Sequence, residues 1–177
     1  MSQEPEATQA AVRAQLLRHY TETLAALPAE LALVRSHPDL PKAVFHGYTA
    51  PHDYDPIHDY DWLWEKFSIG YWLLGTTPES CERYFDLVLG VWSDRGWLTG
   101  TTGTSRPRSG GAKIPGGYGL GVTQSMNGYL SIVGSTPPFP VDSAAGDPLP
   151  DRIDHPSRSD GSDGSDGSVG EGQPAQP

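Results

Sequence analysis

The chain is predicted to be an α+β domain, an antiparallel four-stranded sheet with two or three helices packed on one face. Three observations predict it. Apolar residues recur at helical spacing through 12–34, alternate at strand spacing through 67–73, and the last three strands follow one another without helices between them. An antiparallel sheet is the simplest way to bury the helical stripes under those conditions. Parallel doubly wound folds are disfavoured, because each parallel connection needs a crossover.

The first segment places Val12, Leu16, Tyr20, Leu24, Leu27, Leu31 and Val34 along one helical face, with Arg13, Arg18, Glu22 and Glu30 mostly off it. Pro28 is expected to divide it, one helix ending near Ala26 and a second restarting at Pro28 or Ala29. His37-Pro38 closes the second. Residues 38–61 contain Pro38, Pro41, Pro51 and Pro56 among histidine and aspartate clusters and read as a long irregular loop. From Trp62 to Leu74 the aromatic and β-branched content predicts a strand, with Phe67, Ile69, Tyr71 and Leu73 on one face.

A helix follows, with Thr77 as N-cap, Pro78 at its first position, and Cys81, Tyr84, Phe85, Val88, Val91 and Trp92 as its apolar stripe. Gly96 ends it. Trp97–Thr101 resumes as a strand, and 103–113 reads as a Gly/Ser/Arg loop. Tyr118–Thr123 and Tyr129–Val133 then form an edge hairpin around Asn127-Gly128, a dipeptide suited to a type I′ turn. Pro137-Pro138 ends the second strand.

From Asp142 onward the composition changes. This stretch carries eight acidic and two basic residues and little large apolar content. Such a segment cannot bury enough apolar surface to offset its ordering entropy, so residues 1–141 are expected to form the domain and 142–177 a disordered acidic tail. The whole chain of 177 residues has a formal net charge of −10. That balance argues against nucleic acid as a partner and suits a basic protein. Arg106, Arg108 and Lys113 gather in the Gly/Ser loop and read as solvated. Cys81 is the single cysteine, so no internal disulfide can form. The N-terminal residues lack a signal-peptide pattern and no run is long and apolar enough to span a membrane, which makes a cytoplasmic protein the expectation.

The sharpest cluster is HDYDPIHDYDW, where His-Asp-Tyr-Asp occurs at 52–55 and again at 58–61. Two readings compete for it. In the first, Asp53, Asp55, Asp59 and Asp61 with Trp62 and Trp64 make an acidic–aromatic patch for a cationic partner. In the second, His52, Asp55, His58 and Asp61 hold one divalent metal ion such as zinc, with His46 nearby. The glycines at 116, 117, 119 and 121 do not have dinucleotide-binding spacing and enter a strand, so they carry no phosphate site. Cys81 lies on an apolar stripe and reads as structural. No Gly-x-Ser-x-Gly elbow is present.

The helix ending in Val91-Trp92 and Gly96-Trp97, with the later runs Gly117-Tyr118-Gly119-Leu120, Gly128-Tyr129-Leu130-Ser131-Ile132 and Ser135-Thr136-Pro137, resembles small actinobacterial envelope proteins of the mycobacterial LppA-like lipoprotein type. The resemblance covers roughly residues 62–140. It implies an α+β module with no assigned enzymatic activity and supplies no catalytic residue. The chain departs from that pattern in lacking a lipobox cysteine and an export signal, and in placing Pro138 where relatives have a cysteine. These readings together predict a non-enzymatic binding protein, of the immunity type that masks a basic partner. The alternative is a metal-dependent enzyme or metal-binding protein using the loop 46–61.

Overall fold

In the computed structural model, residues 7–52 and 63–159 are described. Helix α1 (Gln9–Ala25) begins where the Thr8 side chain accepts a hydrogen bond from the Ala11 N–H, and buries Val12, Leu16, Tyr20 and Leu24. This half of the predicted stripe holds. The expected second helix does not form: Leu31 to Val34 are all buried, and strand β1 (Ala32–Val34) lies inside the sheet with partners on both sides. A run buried on all sides satisfies its backbone through two neighbouring strands as readily as through a helix.

Strand β2 (Ser36–His37) stands where the second helix was expected to close, and the region expected to be one irregular loop holds two short strands among its described residues, β3 (Leu40–Val44) and β4 (Tyr48–Pro51). The β2–β3 hairpin is a separate two-stranded sheet, and β4 pairs with the long strand β5 (Trp64–Leu74). Phe67, Ile69, Tyr71 and Leu73 of β5 point to one buried face, as their alternation predicts.

Helix α2 (Cys81–Asp94) buries all six residues of its predicted stripe. Its entry is longer than expected. Ser80 rather than Thr77 is the N-cap, and the two form a reciprocal turn in which the Thr77 N–H donates to Ser80 Oγ and the Ser80 N–H to Thr77 Oγ1. Gly96 (φ +78°) then turns the chain into strand β6 (Leu98–Thr102).

The expected Gly/Ser/Arg loop is largely strand β7 (Arg108–Ile114), which pairs over its whole length with β8 (Tyr118–Gln124). Strands β8 and β9 (Leu130–Ser135) form the expected hairpin, but in the sheet interior, since β7 and β5 flank them. Its turn is also longer. The Gly128 N–H bonds the Ser125 carbonyl, so Met126 and Asn127 are the central pair and Gly128 (φ +84°) follows them.

After Pro137-Pro138, β10 (Phe139–Pro140) adds to β5, and β11 (Arg152–Asp154) pairs with β1. The four-stranded sheet is therefore too small. Among the described residues the main sheet has nine strands, in the order β11-β1-β5-β9-β8-β7-β6 with β10 and β4 also on β5, and every pairing is antiparallel. A short helix, α3 (Pro156–Ser159), is the third among the described residues.

Helices α1 and α2 cover the same sheet face. The Tyr20 hydroxyl of α1 donates to the Ile69 carbonyl of β5 at 2.7 Å, and Trp92 Nε1 of α2 donates to Thr23 Oγ1 of α1. Gly110 and Gly134 admit these helices. An added Cβ would lie 2.8 Å from Leu89 at the first and 2.7 Å from the Tyr20 hydroxyl at the second. On the opposite face, Gly100, Gly111 and Gly121 occupy consecutive register positions across β6, β7 and β8 and present bare backbone.

The boundary at residue 141 also moves. Leu149, Ile153 and His155 are buried, and the His155 imidazole bonds the Leu27 carbonyl. Residues 142–159 thus belong to the folded body, because two well-spaced aliphatic side chains and a set of backbone bonds offset the ordering cost of a largely polar stretch. Residues 160–177 of the expected tail lie outside the described residues.

Two predictions follow from this packing. Gly134→Ala is expected to destabilise the protein by about 1–3 kcal/mol, whereas Gly100→Ala, whose Cβ meets nothing within 4 Å, is expected to stay within about 0.5 kcal/mol of the parent. Urea unfolding of both variants checks the contrast. The second concerns His19, which is buried between Trp97 and Tyr118, and whose pKa is lowered chiefly by desolvation. A depressed folded-state pKa means that the unfolded chain takes up the proton first. Its contribution is therefore complete above the free imidazole value of about 6.5 and is lost as pH falls through the lower folded value. The drop in urea midpoint between pH 7.5 and 5.5 should be smaller in His19→Gln than in the parent.

Candidate functional site

A cavity of about 230 Å³ opens where α1, β5, the β3–β4 connection and the segment before β11 meet. Its character comes from three basic side chains, Arg13, Arg35 and His46, set around apolar walls from Phe67, Pro148 and Leu149. Each arrives for a local reason. Arg13 follows Val12 on α1, one position off the buried stripe, so its stem runs along the core edge and its guanidinium lies 4.0 Å above the Phe67 ring. Arg35 directly follows β1. Gly47 closes the β3–β4 connection against Phe67, and a Cβ there would lie 2.8 Å from that ring.

The two arginines are electrostatically unlike. Arg35 is occupied: Nε donates to the Phe45 carbonyl at 2.9 Å and Nη1 to Asp151 Oδ1 at 2.8 Å. Arg13 has no carboxylate within ion-pair distance among the described residues, and its buried Nε has no hydrogen-bond partner there. Burial lowers its pKa. A desolvated guanidinium with no counter-charge is unfavourable by itself, and an anion entering the cavity relieves it with charge-assisted hydrogen bonds.

The segment assigned to the tail by composition builds one wall. A strap over residues 143–151 is held by bonds from the Gln9 N–H to Ser143 Oγ, from the Ala10 N–H to the Ala144 carbonyl and from the Arg35 N–H to the Asp151 carbonyl. Gly146 (φ +71°) lies so close to α1 that a Cβ would come within 2.7 Å of Ala10. The Tyr71 hydroxyl donates to the Pro150 carbonyl at 2.8 Å, and burial pushes its pKa up to about 12, so it remains a donor across the physiological range.

Of the residues expected to form the acidic–aromatic patch, Asp53, Asp55, Asp59, Asp61 and Trp62 lie outside the described residues. Trp64 starts β5 and is 38% exposed, beside exposed Leu63 and Val141. Of the expected metal set, Asp55, His58 and Asp61 also lie outside. His52 is described, with its N–H bonded to the Trp64 carbonyl. No group of three or more His, Cys, Asp or Glu side chains among the described residues could hold a metal ion.

The basic cluster expected to be solvated divides. Arg106 pairs with Glu82, and Arg108 pairs with Glu82 and Asp86 while stacking 4.0 Å over Phe85, so both clamp α2 to the sheet. Lys113 lies on the glycine-bearing face, beside a shallow apolar depression that Leu98, Gly100 and Gly111 also line. Cys81 is buried and accepts from Gln124 Nε2, in keeping with a structural role. No helix among the described residues is long and apolar enough to cross a membrane.

The sequence does not single out Arg13, Arg35 or Leu149. The one available signal is an arginine a single step off an apolar stripe without an acidic residue three or four positions away, which a surface helix arginine often has.

Because the strap is part of the fold, a chain ended at Val141 should melt well below one ended at Ser159, by more than 10 °C at about 4–8 °C per kcal/mol for a small domain. Thermal denaturation followed by circular dichroism measures the difference. Comparison with family models, curated proteins and solved structures finds no match for this chain.

Proposed function

We propose that the protein is a non-enzymatic binding protein whose ligand places an anionic group in the Arg13–Arg35–His46 cavity. The observation that supports it is the half-buried Arg13 guanidinium, whose enclosed Nε has no partner among the described residues, in a chain whose formal net charge is −10. Acidic residues are abundant in this sequence, yet none described neutralises this one cation. Such a group gains most from a carboxylate or phosphate oxygen, which a guanidinium fork can engage through two parallel bonds.

The reading makes the ligand's charge negative, opposite to the basic protein partner expected from composition. The basic-partner reading depends on aspartates outside the described residues, whereas the anion reading depends on Arg13 and Arg35. The surroundings favour binding over reaction. Phe67 and Leu149 are apolar, and Tyr71 is engaged with the strap carbonyl. His46 is exposed at the rim, where it can donate to an anion.

The test is a ¹⁵N NMR titration with propanoate and methyl phosphate as probes, followed at the Arg13 Nε–H resonance in the parent and at the backbone N–H resonance of Gly47, which lines the cavity and is kept in every variant. At least one should shift these resonances saturably, with a dissociation constant on the order of millimolar for so small a ligand. Arg13→Gln should weaken binding at least about tenfold, the loss of one charge-assisted bond, while Arg13→Lys should restore part of it. Equal affinity in parent and Arg13→Gln would disprove the reading.

A further inference from the structure

Resting on that anion-pocket reading, we infer that the cavity selects a monocarboxylate of small organic-acid size over a dianion, and that Asp151 sets this selectivity. The argument starts from the charges around the cavity. Arg13 and Arg35 bring two positive charges, and Asp151 returns one negative charge through its 2.8 Å pair with Arg35. With His46 neutral, the site carries one net positive charge, which one carboxylate balances. A phosphate monoester, close to doubly charged above pH 7, leaves an excess of negative charge next to Asp151. It must also give up far more hydration to enter a cavity walled by Phe67, Pro148 and Leu149, a cost that outweighs its stronger attraction to the arginines.

The donors agree with the charges. Arg35 Nε and Nη1 are already engaged by the Phe45 carbonyl and Asp151, so its Nη2 remains. Arg13 makes no hydrogen bond among the described residues, and since its Nε is enclosed, its Nη groups are the donors left for a ligand. A planar carboxylate has two oxygens to share between these arginines, whereas a third phosphate oxygen would turn toward the Phe67, Pro148 and Leu149 wall. The same wall suits a short apolar body behind the carboxylate, and about 230 Å³ limits it to a few heavy atoms.

Asp151 acts by position. It is part of the strap, its backbone carbonyl accepts from the Arg35 N–H, and its side chain is 89% exposed. Solvent screening therefore keeps its effect moderate, and low salt is needed to see it. Removing its charge should also act in proportion to the charge of the ligand. A factor of about three for a monoanion becomes its square, about nine, for a dianion.

The experiment titrates the parent, Asp151→Asn and Asp151→Glu with propanoate and methyl phosphate at pH 8 and low ionic strength, reading the Arg13 Nε–H resonance. The parent should bind propanoate more tightly than methyl phosphate. Asp151→Asn should tighten methyl phosphate by about the square of its gain for propanoate, and Asp151→Glu should keep the parent order. Methyl phosphate binding the parent as tightly as propanoate, or Asp151→Asn changing both ligands equally or neither, overturns the inference while leaving the anion pocket standing. If neither probe moves the Arg13 resonance in the parent, the pocket reading falls and this inference falls with it.

Discussion

Strand β5 is the constraint from which the architecture follows. It has eleven residues, and β1, β4, β9 and β10 all form backbone hydrogen bonds with it. Both edges are occupied over much of its length, so its amide groups are satisfied only when segments far apart in sequence have arrived. Phe67, Ile69, Tyr71 and Leu73 then give α1 a continuous apolar surface, and the Tyr20 hydroxyl ties that helix to the Ile69 carbonyl. The edge of this packing, where α1 leaves β5 and the strap crosses, is where Arg13 is left partly desolvated.

The pocket is thus a by-product of the fold as much as an addition to it. The side chains that anchor it have structural duties: Phe67 is core, Tyr71 holds the Pro150 carbonyl, and Arg35 ties β1 to Asp151. Among the described residues, Arg13 has no such partner. Elsewhere Arg95 pairs with Glu22 and Arg108 with Asp86, while Arg18 bonds Gln15 and Arg83 bonds Tyr84. What sets Arg13 apart is that its Nε is enclosed and has no hydrogen-bond partner among the described residues, and the proposed anion site rests on that.

What could be read from the sequence followed the clarity of its periodicity. The stripe from Val12 to Leu24, the alternation from Phe67 to Leu73, and the stripe and Gly96 stop of α2 were all legible, because each element is buried on one face and polar on the other. The start of α2, by contrast, was placed three residues early, at Thr77 instead of Ser80. Residues Ala32–Val34 were not. A three-residue strand buried on both faces has no alternation, and Leu27, Leu31 and Val34 happen to continue helical spacing. Strand β7 was hidden because Gly110 and Gly111 have no side chains to show a pattern, and its register is supplied by β8. The strap was hidden by averaging. Leu149 and Ile153 are few among charges and prolines, yet each meets the core. Composition reports the mean of a segment, whereas packing depends on where its few apolar residues fall.

The distance along the chain between β1 and β11 has a consequence for synthesis. Leu27 and His155, which bond across this junction, are 128 residues apart. At roughly 5–20 residues per second, a ribosome needs on the order of ten seconds to deliver the second after the first. For that interval the outer edge of β1 is exposed without its natural neighbour, and exposed edges invite pairing with other nascent chains. Slower translation between β1 and β11 lengthens that exposure, and chaperone cover of the β1 edge limits its effect.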